Sequence, residues 1–258
     1  MALSPGMGVF LFFTSMLAGA LNSVAGGGSF LTLPALIYAG VPAVAANATS
    51  TVALWPGSVS TAWAYRRELS HRGRWLTILS VVSVVGGLLG ALLLVRTSDT
   101  SFLRLLPWLM LLATVTFTFG GQVTARMRGR GPSLLGAHDD DHPTAWTLLL
   151  QLVIATYGGY FGGGMGIMML AVFAITGMTD MHAMNGLKAL LAVAINGVAL
   201  VEFARSGTVV WTHAVVMLLG GIIGGYVGAS LARRLPGHQV RWFVIVIAWT
   251  MTIYFFIR

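Results

Sequence analysis

The sequence predicts an all-α polytopic membrane protein built from two homologous four-segment repeats, and three observations predict it. Apolar residues make up 57% of the 258 positions and charged residues only 9%, against about 25% charged in ordinary soluble domains. Apart from the N-terminal amine, no formal charge occurs before Arg66, and charge-free runs then cover 75–95, 105–125, 143–179, 206–232 and 242–257. About 20 helical residues cross a hydrocarbon core of roughly 30 Å, a length that most of these runs reach or exceed. Finally, the chain resembles itself: "GGLLGA" from Gly86 and "GGYVGA" from Gly224 agree in four of six letters at an offset of 138. The same offset sets Asn47 over Asn185, Tyr65 over Phe203 and Arg96 over Arg234.

Eight hydrophobic segments follow, four in a first membrane repeat (1–121) and four in a second (145–258), joined by a polar linker at 122–144. The first, 8–38, begins near the N-terminus but lacks the basic region of a signal peptide, and its apolar character continues past any plausible cleavage point, so it belongs to the fold. It is about 31 residues long, roughly 46 Å as one helix, which is more than an upright span requires. A triple glycine, Gly26 to Gly28, interrupts it. Segment 43–65 opens with small polar residues, "AANATSTVALWPG", before turning apolar. Segments 75–95 and 102–120 complete the half, the first carrying Gly86 and Gly90 four residues apart, a spacing that lets helix backbones approach closely. The linker "QVTARMRGRGPSLLGAHDDDHPT" is set apart by its charges, glycines and prolines.

The second half repeats the scheme with 145–175, 182–203, 209–231 and 240–257. Its long first segment is broken at Gly162 to Gly164, offset by 136 from the first triple glycine. Gly220, Gly224 and Gly228 form a small-residue row in the third. Matched glycine breaks in duplicated hydrophobic halves are the sequence sign of a transporter with its site between the repeats.

Each broken segment is either one crossing with unwound backbone at its middle or a hairpin that enters the membrane and returns. Non-helical backbone at that depth needs protein or a polar cavity around it. Full crossings give parallel repeats; hairpins leave three crossings per half and invert the second repeat. Leaving out Lys188, full crossings distribute the arginines nine against five, and hairpins ten against four. The positive-inside rule therefore leans to hairpins, and in both cases the loops 66–74 and 122–142 face the cytoplasm of an inner membrane.

The residues that carry chemistry cluster at the breaks and just after them. A helix starting after a glycine break directs N–H groups and a positive dipole end inward, which favours anions. Gly26, Gly27, Gly28 and Ser29 form the first such site and Gly162, Gly163 and Gly164 the second, where Met165 replaces the serine. Asn47, Thr49, Ser50 and Thr51 put an amide and three hydroxyls at the start of a membrane helix. Asn185 and Lys188 are their counterparts. N-capping by Asn47 and Asn185 is the structural alternative, compatible with ligand contact. Lys188 is the only lysine of the chain, about two helical turns inside its segment, at the position matching Ser50. A cation near a bilayer centre costs roughly 2.5–3.5 kcal/mol on insertion scales, which an anionic substrate offsets; snorkelling is the alternative.

Other signals are weaker. "HDDDH" at His138 to His142 lies in the linker and is not read as a metal site. Ser29 with Lys188 lacks the nucleophile-elbow context of a hydrolytic dyad, and no other nucleophile and base pair is visible. His182 and His213 lie near segment ends and are read as packing or capping residues. With no cysteine there is neither a disulfide nor a thiolate metal site. The formal charge of +8 comes from arginines beside the spans and fixes topology rather than binding nucleic acid.

The stretch "AGALNSVAGGGSFLTLPALIYAGVPAVAANATSTVALWPGSVSTAWAYRREL" strongly resembles the opening repeat of the sulfite exporter TauE/SafE family, through GGGSF, the following Pro34 and "ANATS". The likeness extends in architecture over nearly the whole chain. It implies transport of sulfite or organosulfonates, often as export linked to sulfonate catabolism. An inside-negative potential drives anions outward by roughly 2.3 kcal/mol per charge per 100 mV, so export needs no coupled ion. The expectation is thus a transporter rather than an enzyme, without cofactor or metal, whose partners are a small anionic substrate and the lipid bilayer. A permease taking up another small anion, or a membrane-embedded enzyme, is the alternative.

Overall fold

The computed structural model describes residues 3–24, 27–66, 73–127, 144–176, 178, 180–232 and 237–257. Gly26, loop residues 67–72, linker residues 128–143 with the HDDDH run, and Arg233 and Arg234 lie outside the described residues. Ten helices follow in order: α1 (Pro5–Val24), α2 (Ser29–Tyr38), α3 (Ala43–Ala64), α4 (Gly73–Arg96), α5 (Asp99–Met127), α6 (Ala145–Tyr160), α7 (Met165–Ile175), α8 (Met181–Arg205), α9 (Trp211–Ala232) and α10 (Gly237–Ile257). No strand occurs among the described residues. The stretches Pro5–Asn22, Trp75–Arg96, Asp99–Gln122 and His182–Arg205 are long and apolar enough to cross a membrane, and four further apolar helices are shorter. This is a polytopic helical membrane protein. Helix α5 runs on to Met127, into the stretch assigned to the linker.

Local chemistry sets the helix ends. Pro42 precedes α3 without a side-chain cap, and the cap comes from another helix: Val44 N–H donates to Asp99 Oδ1 at 2.8 Å. Ser98 caps α5 by accepting from Ser101 N, and Thr144 caps α6 by accepting from Thr147 N. Asp180 caps α8, accepting from His182 N at 2.9 Å. The N-capping reading of Asn47 and Asn185 is therefore corrected, since both lie inside helices that begin at Ala43 and Met181.

Packing directions follow from residue pairs. Helix α2 turns back along α1: Gly28 lies against Ala18 O, and the rings of Tyr38 and Phe10 meet at 5.8 Å. Helix α7 turns back along α6, with Met165 beside Gly158 and Met169 Sδ 3.6 Å from Gln151 Nε2. Each long segment is thus a helical hairpin folded at its glycines. Helices α5 and α10 are antiparallel, since Trp108, Thr114 and Thr118 meet Phe256, Thr252 and Trp249 in turn. Helix α1 packs along α9, α6 along α4, and α3 against both α8 and α9. The α1–α9 approach is so close that a Cβ on Gly224 would overlap Met16 O, which only glycine avoids.

The interior is apolar, with Phe30, Leu33, Leu36, Phe102, Leu106, Met110, Phe173 and Phe203 fully enclosed. The outward faces are apolar as well: Val81, Val85, Leu89 and Leu93 on α4, and Ile222, Ile223 and Val227 on α9, are exposed. Such a surface suits a hydrocarbon solvent rather than water. Helix α3, whose first half is rich in small polar residues, packs against α2, α8 and α9, and its hydroxyls find protein partners on α2 and at the start of α9.

Candidate functional site

Each glycine break is a turn that other side chains would strain. Gly27 has φ of 93°, Gly162 of 83° and Gly164 of 78°, all in the left-handed region. At Gly164, which caps α7, a Cβ would also lie 3.0 Å from Ala113 Cα, so the second break rests directly on the middle of α5. The first break touches the same helix, a Cβ on Gly27 falling 3.6 Å from the Phe117 ring. Ala113 and Phe117 are one helical turn apart, so the two breaks reach α5 within about 6 Å of depth.

Side chains close both turns. Gly28 N–H donates to Asn22 Oδ1 at 3.0 Å, so this donor of the first break is already engaged. In the second, Tyr157 on α6 directs its hydroxyl to Gly163 O at 2.8 Å and Leu109 O at 3.2 Å, tying the turn to α5. Ser29 is the first residue of α2 and Met165 of α7.

The polar residues of α3 and α8 lie beside the helices that follow the breaks. Ser50, 2% exposed, meets Thr32 on α2 at 2.6 Å between hydroxyls, and Thr32 in turn donates to Gly28 O at 3.2 Å. A buried hydroxyl chain thus joins α3 to the first break. Lys188 occupies the corresponding place on α8. A Cβ on Gly166, the second residue of α7, would lie 3.2 Å from Lys188 Cδ, so the lysine stem rests on the first turn after the second break. Its ammonium donates to Asn185 Oδ1 at 2.9 Å. A neutral amide oxygen receives the charge here.

Asn47, 3% exposed, donates from Nδ2 to Tyr160 O at 2.9 Å, reaching from the first half to the residue that ends α6. Not every expected residue faces the breaks. Thr49 Oγ1 accepts from Val210 N at 3.1 Å and holds the start of α9, and Thr51 Oγ1 donates back to Asn47 O at 3.0 Å. Gly26 lies outside the described residues.

Sequence reasoning missed Thr32, Asn22, Tyr157 and Tyr160. Asn22 carried a signal, an amide a few residues before a glycine turn; the tyrosines, on an apolar helix, carried none. The arrangement brings a lysine charge, the start of α7 and two asparagine-bearing helices around two broken backbones at similar depth. The set offers one cation among neutral amides and hydroxyls.

Residues 11–255 match the family model described as sulfite exporter TauE/SafE. A probable membrane transporter protein of Haemophilus influenzae is 27% identical over 245 residues, covering 94% of this chain and 91% of the relative. The probable membrane transporter protein ORF9 of a Sinorhizobium species is 27% identical over 247 residues, covering 95% and 90%. The probable membrane transporter protein YfcA of Escherichia coli K12 is 29% identical over 245 residues, covering 94% and 87%. No solved structure matches. A polytopic helical chain matched over nearly its full length by that model and by named membrane transporters belongs to the sulfite exporter TauE/SafE family.

Proposed function

We propose that this membrane transporter carries small sulfur oxyanions, sulfite or organosulfonates, outward across the inner membrane. One observation carries the reading: Lys188 rests on the first turn of α7 and donates to an amide rather than a carboxylate. A cation beside the positive end of a helix is an unfavourable pairing of like signs. An anion bound between them turns both interactions favourable. In this reading the backbone at Gly26 to Ser29, apart from the Gly28 N–H already held by Asn22, and at Gly162 to Gly164 binds the oxyanion, Asn47, Ser50 and Asn185 orient it, and Lys188 neutralises it. The family's description, sulfite exporter, supports the substrate class.

The two halves, 1–121 and 145–258, act as inverted repeats, with the intervening linker and loop 66–74 on the cytoplasmic face. The hairpin course of α1–α2 and α6–α7 supports inversion, as does the antiparallel course of the matching helices α5 and α10. Two contacts join residues one repeat interval apart: Thr114 with Thr252 at 2.9 Å, and Trp55 Nε1 with Val193 O at 3.2 Å, both pairs separated by 138. Contact between counterparts is what a two-fold axis gives, and the antiparallel course of α5 and α10 supports an axis in the membrane plane. Alternating access then comes from one repeat rocking against the other around the site.

The test is sulfite flux in proteoliposomes under an imposed potential, with sulfonates as competitors. Saturable flux that follows the potential is expected. Folded protein that moves other small anions but no sulfur anion would refute the substrate assignment.

A further inference from the structure

At one end of the bundle the starts of α3, α5 and α9 lie together, because Val44 N donates to Asp99 Oδ1 and Val210 N to Thr49 Oγ1. The end of α6 reaches into this end as well, beside the start of α9. Tyr160, the last residue of α6, gives its carbonyl to Asn47 Nδ2 at 2.9 Å on α3. Its ring lies against the fully buried Phe102 of α5 at 5.9 Å between centroids, and its hydroxyl makes a long contact of 3.4 Å with Thr97 Oγ1 between α4 and α5. A Cβ on Gly90 of α4 would lie 2.6 Å from Tyr160 N, so that helix is against it as well. Four neighbouring pieces of the first half grip this residue, two positions before the second glycine break.

We propose that Tyr160 is the positioning residue of the second break and the gate of this end: its ring against Phe102 holds the α6–α7 turn to the first half and closes the way from this face to Ser50 and Lys188. The matching position of the first half, at the offset of 136 that aligns the triple glycines, is Val24. Valine has neither an aromatic ring nor a hydroxyl, so the same latch does not recur in the first half. The latch sets which end is closed at rest, and its release is a step of the transport cycle. The proposal rests on the placement of the two breaks at one site and not on which anion is carried.

The chain has no cysteine, so Ser50→Cys provides a single reporter inside the site. Labelling by a membrane-impermeant maleimide is compared from each face, in vesicles of both orientations, with and without Tyr160→Leu. Opening the latch raises the labelling rate from the face of the 39–42 and 97–98 connections by about tenfold, equal to about 1.4 kcal/mol. Labelling from the opposite face falls or stays constant. Phe102→Leu gives the same one-sided increase, and the double variant exceeds either single by much less than their product, because both remove one contact. Tyr160→Phe retains the ring and stays near the parent rate. Equal increases from both faces mean general loosening and overturn the gate, as do unchanged rates or fully multiplicative effects of the two leucine variants. These readouts need no substrate, so their failure is separate from failure of the sulfur-anion reading.

Discussion

Replacing Lys188 by methionine separates the charge from the packing of the same side chain. The methionine stem still covers Gly166, where the lysine Cδ now lies 3.2 Å from the position of a Cβ, while the donor to Asn185 Oδ1 at 2.9 Å disappears. Hydrogen bonds to charged groups contribute about 1.5–3 kcal/mol. With every 1.4 kcal/mol worth a factor of ten, apparent affinity for an anionic substrate falls roughly tenfold to hundredfold. Stability moves the other way. A cation deep in a membrane helix costs roughly 2.5–3.5 kcal/mol on insertion scales, and removing it returns a fraction of that, less the bond to Asn185. The measurement pairs the concentration dependence of sulfite counterflow with thermal unfolding of the same purified protein. Weaker affinity with equal or higher melting temperature is expected. Unchanged affinity refutes the role of the charge, and weaker affinity with a lower melting temperature reduces Lys188 to a structural residue.

Gly164→Ala forces a side chain into a turn with φ of 78° and to within 3.0 Å of Ala113 Cα. The left-handed conformation alone costs an alanine about 1–2 kcal/mol, so the variant melts earlier, and its flux falls more than that of Gly57→Ala, where a Cβ meets nothing within 4 Å. For topology, two hairpins leave three crossings per half, so tags at the two termini report on one face and a tag in the 128–143 stretch on the other. A tag in the 128–143 stretch on the same face as the termini would remove the inverted arrangement.

The broken segments were legible because length and composition conflict within them: 31 apolar residues exceed one span, and three consecutive glycines give the helix a place to stop. Lys188 stood out because a charge within an apolar run has few tolerable surroundings. Direction was legible only in the arginine balance, which leaned to hairpins by a single residue, because a crossing and a hairpin bury the same residues in the same order and hydropathy records burial without heading. Pairings such as Phe10 with Tyr38 carry the hairpin course in the structure. The same holds for Asp99, which caps α3 from 55 residues away, and for Tyr160, whose partners lie on three other elements of the fold. Asn47 was misread as a cap for a related reason. Its amide suits a helix start, but Pro42 fixes the start one turn earlier and leaves the amide to bond Tyr160 O.

Duplication supplies a scaffold in which equal positions do equal work, so its chemistry has to come from the positions where the halves disagree. Thr114 and Thr252 agree and bond to each other, and the glycine rows of α4 and α9 agree and receive α6 and α1. Ser50 and Lys188 disagree. The serine is satisfied by Thr32, whereas the lysine lies along α7 with its charge on an amide. Ser29 and Met165 disagree at the starts of the two return helices, and Val24 and Tyr160 at the ends of the two entry helices. A site made of two identical halves would carry either no lysine or two, and two like charges at one depth repel unless the ligand neutralises both. One lysine in a two-fold frame sets a single charge off-centre, toward α7, and leaves the other half to contribute neutral donors. On the proposed reading, the chain keeps the symmetry that lets its repeats exchange places, and the differences at Ser50 and Lys188 fall where a charged solute is to be recognised.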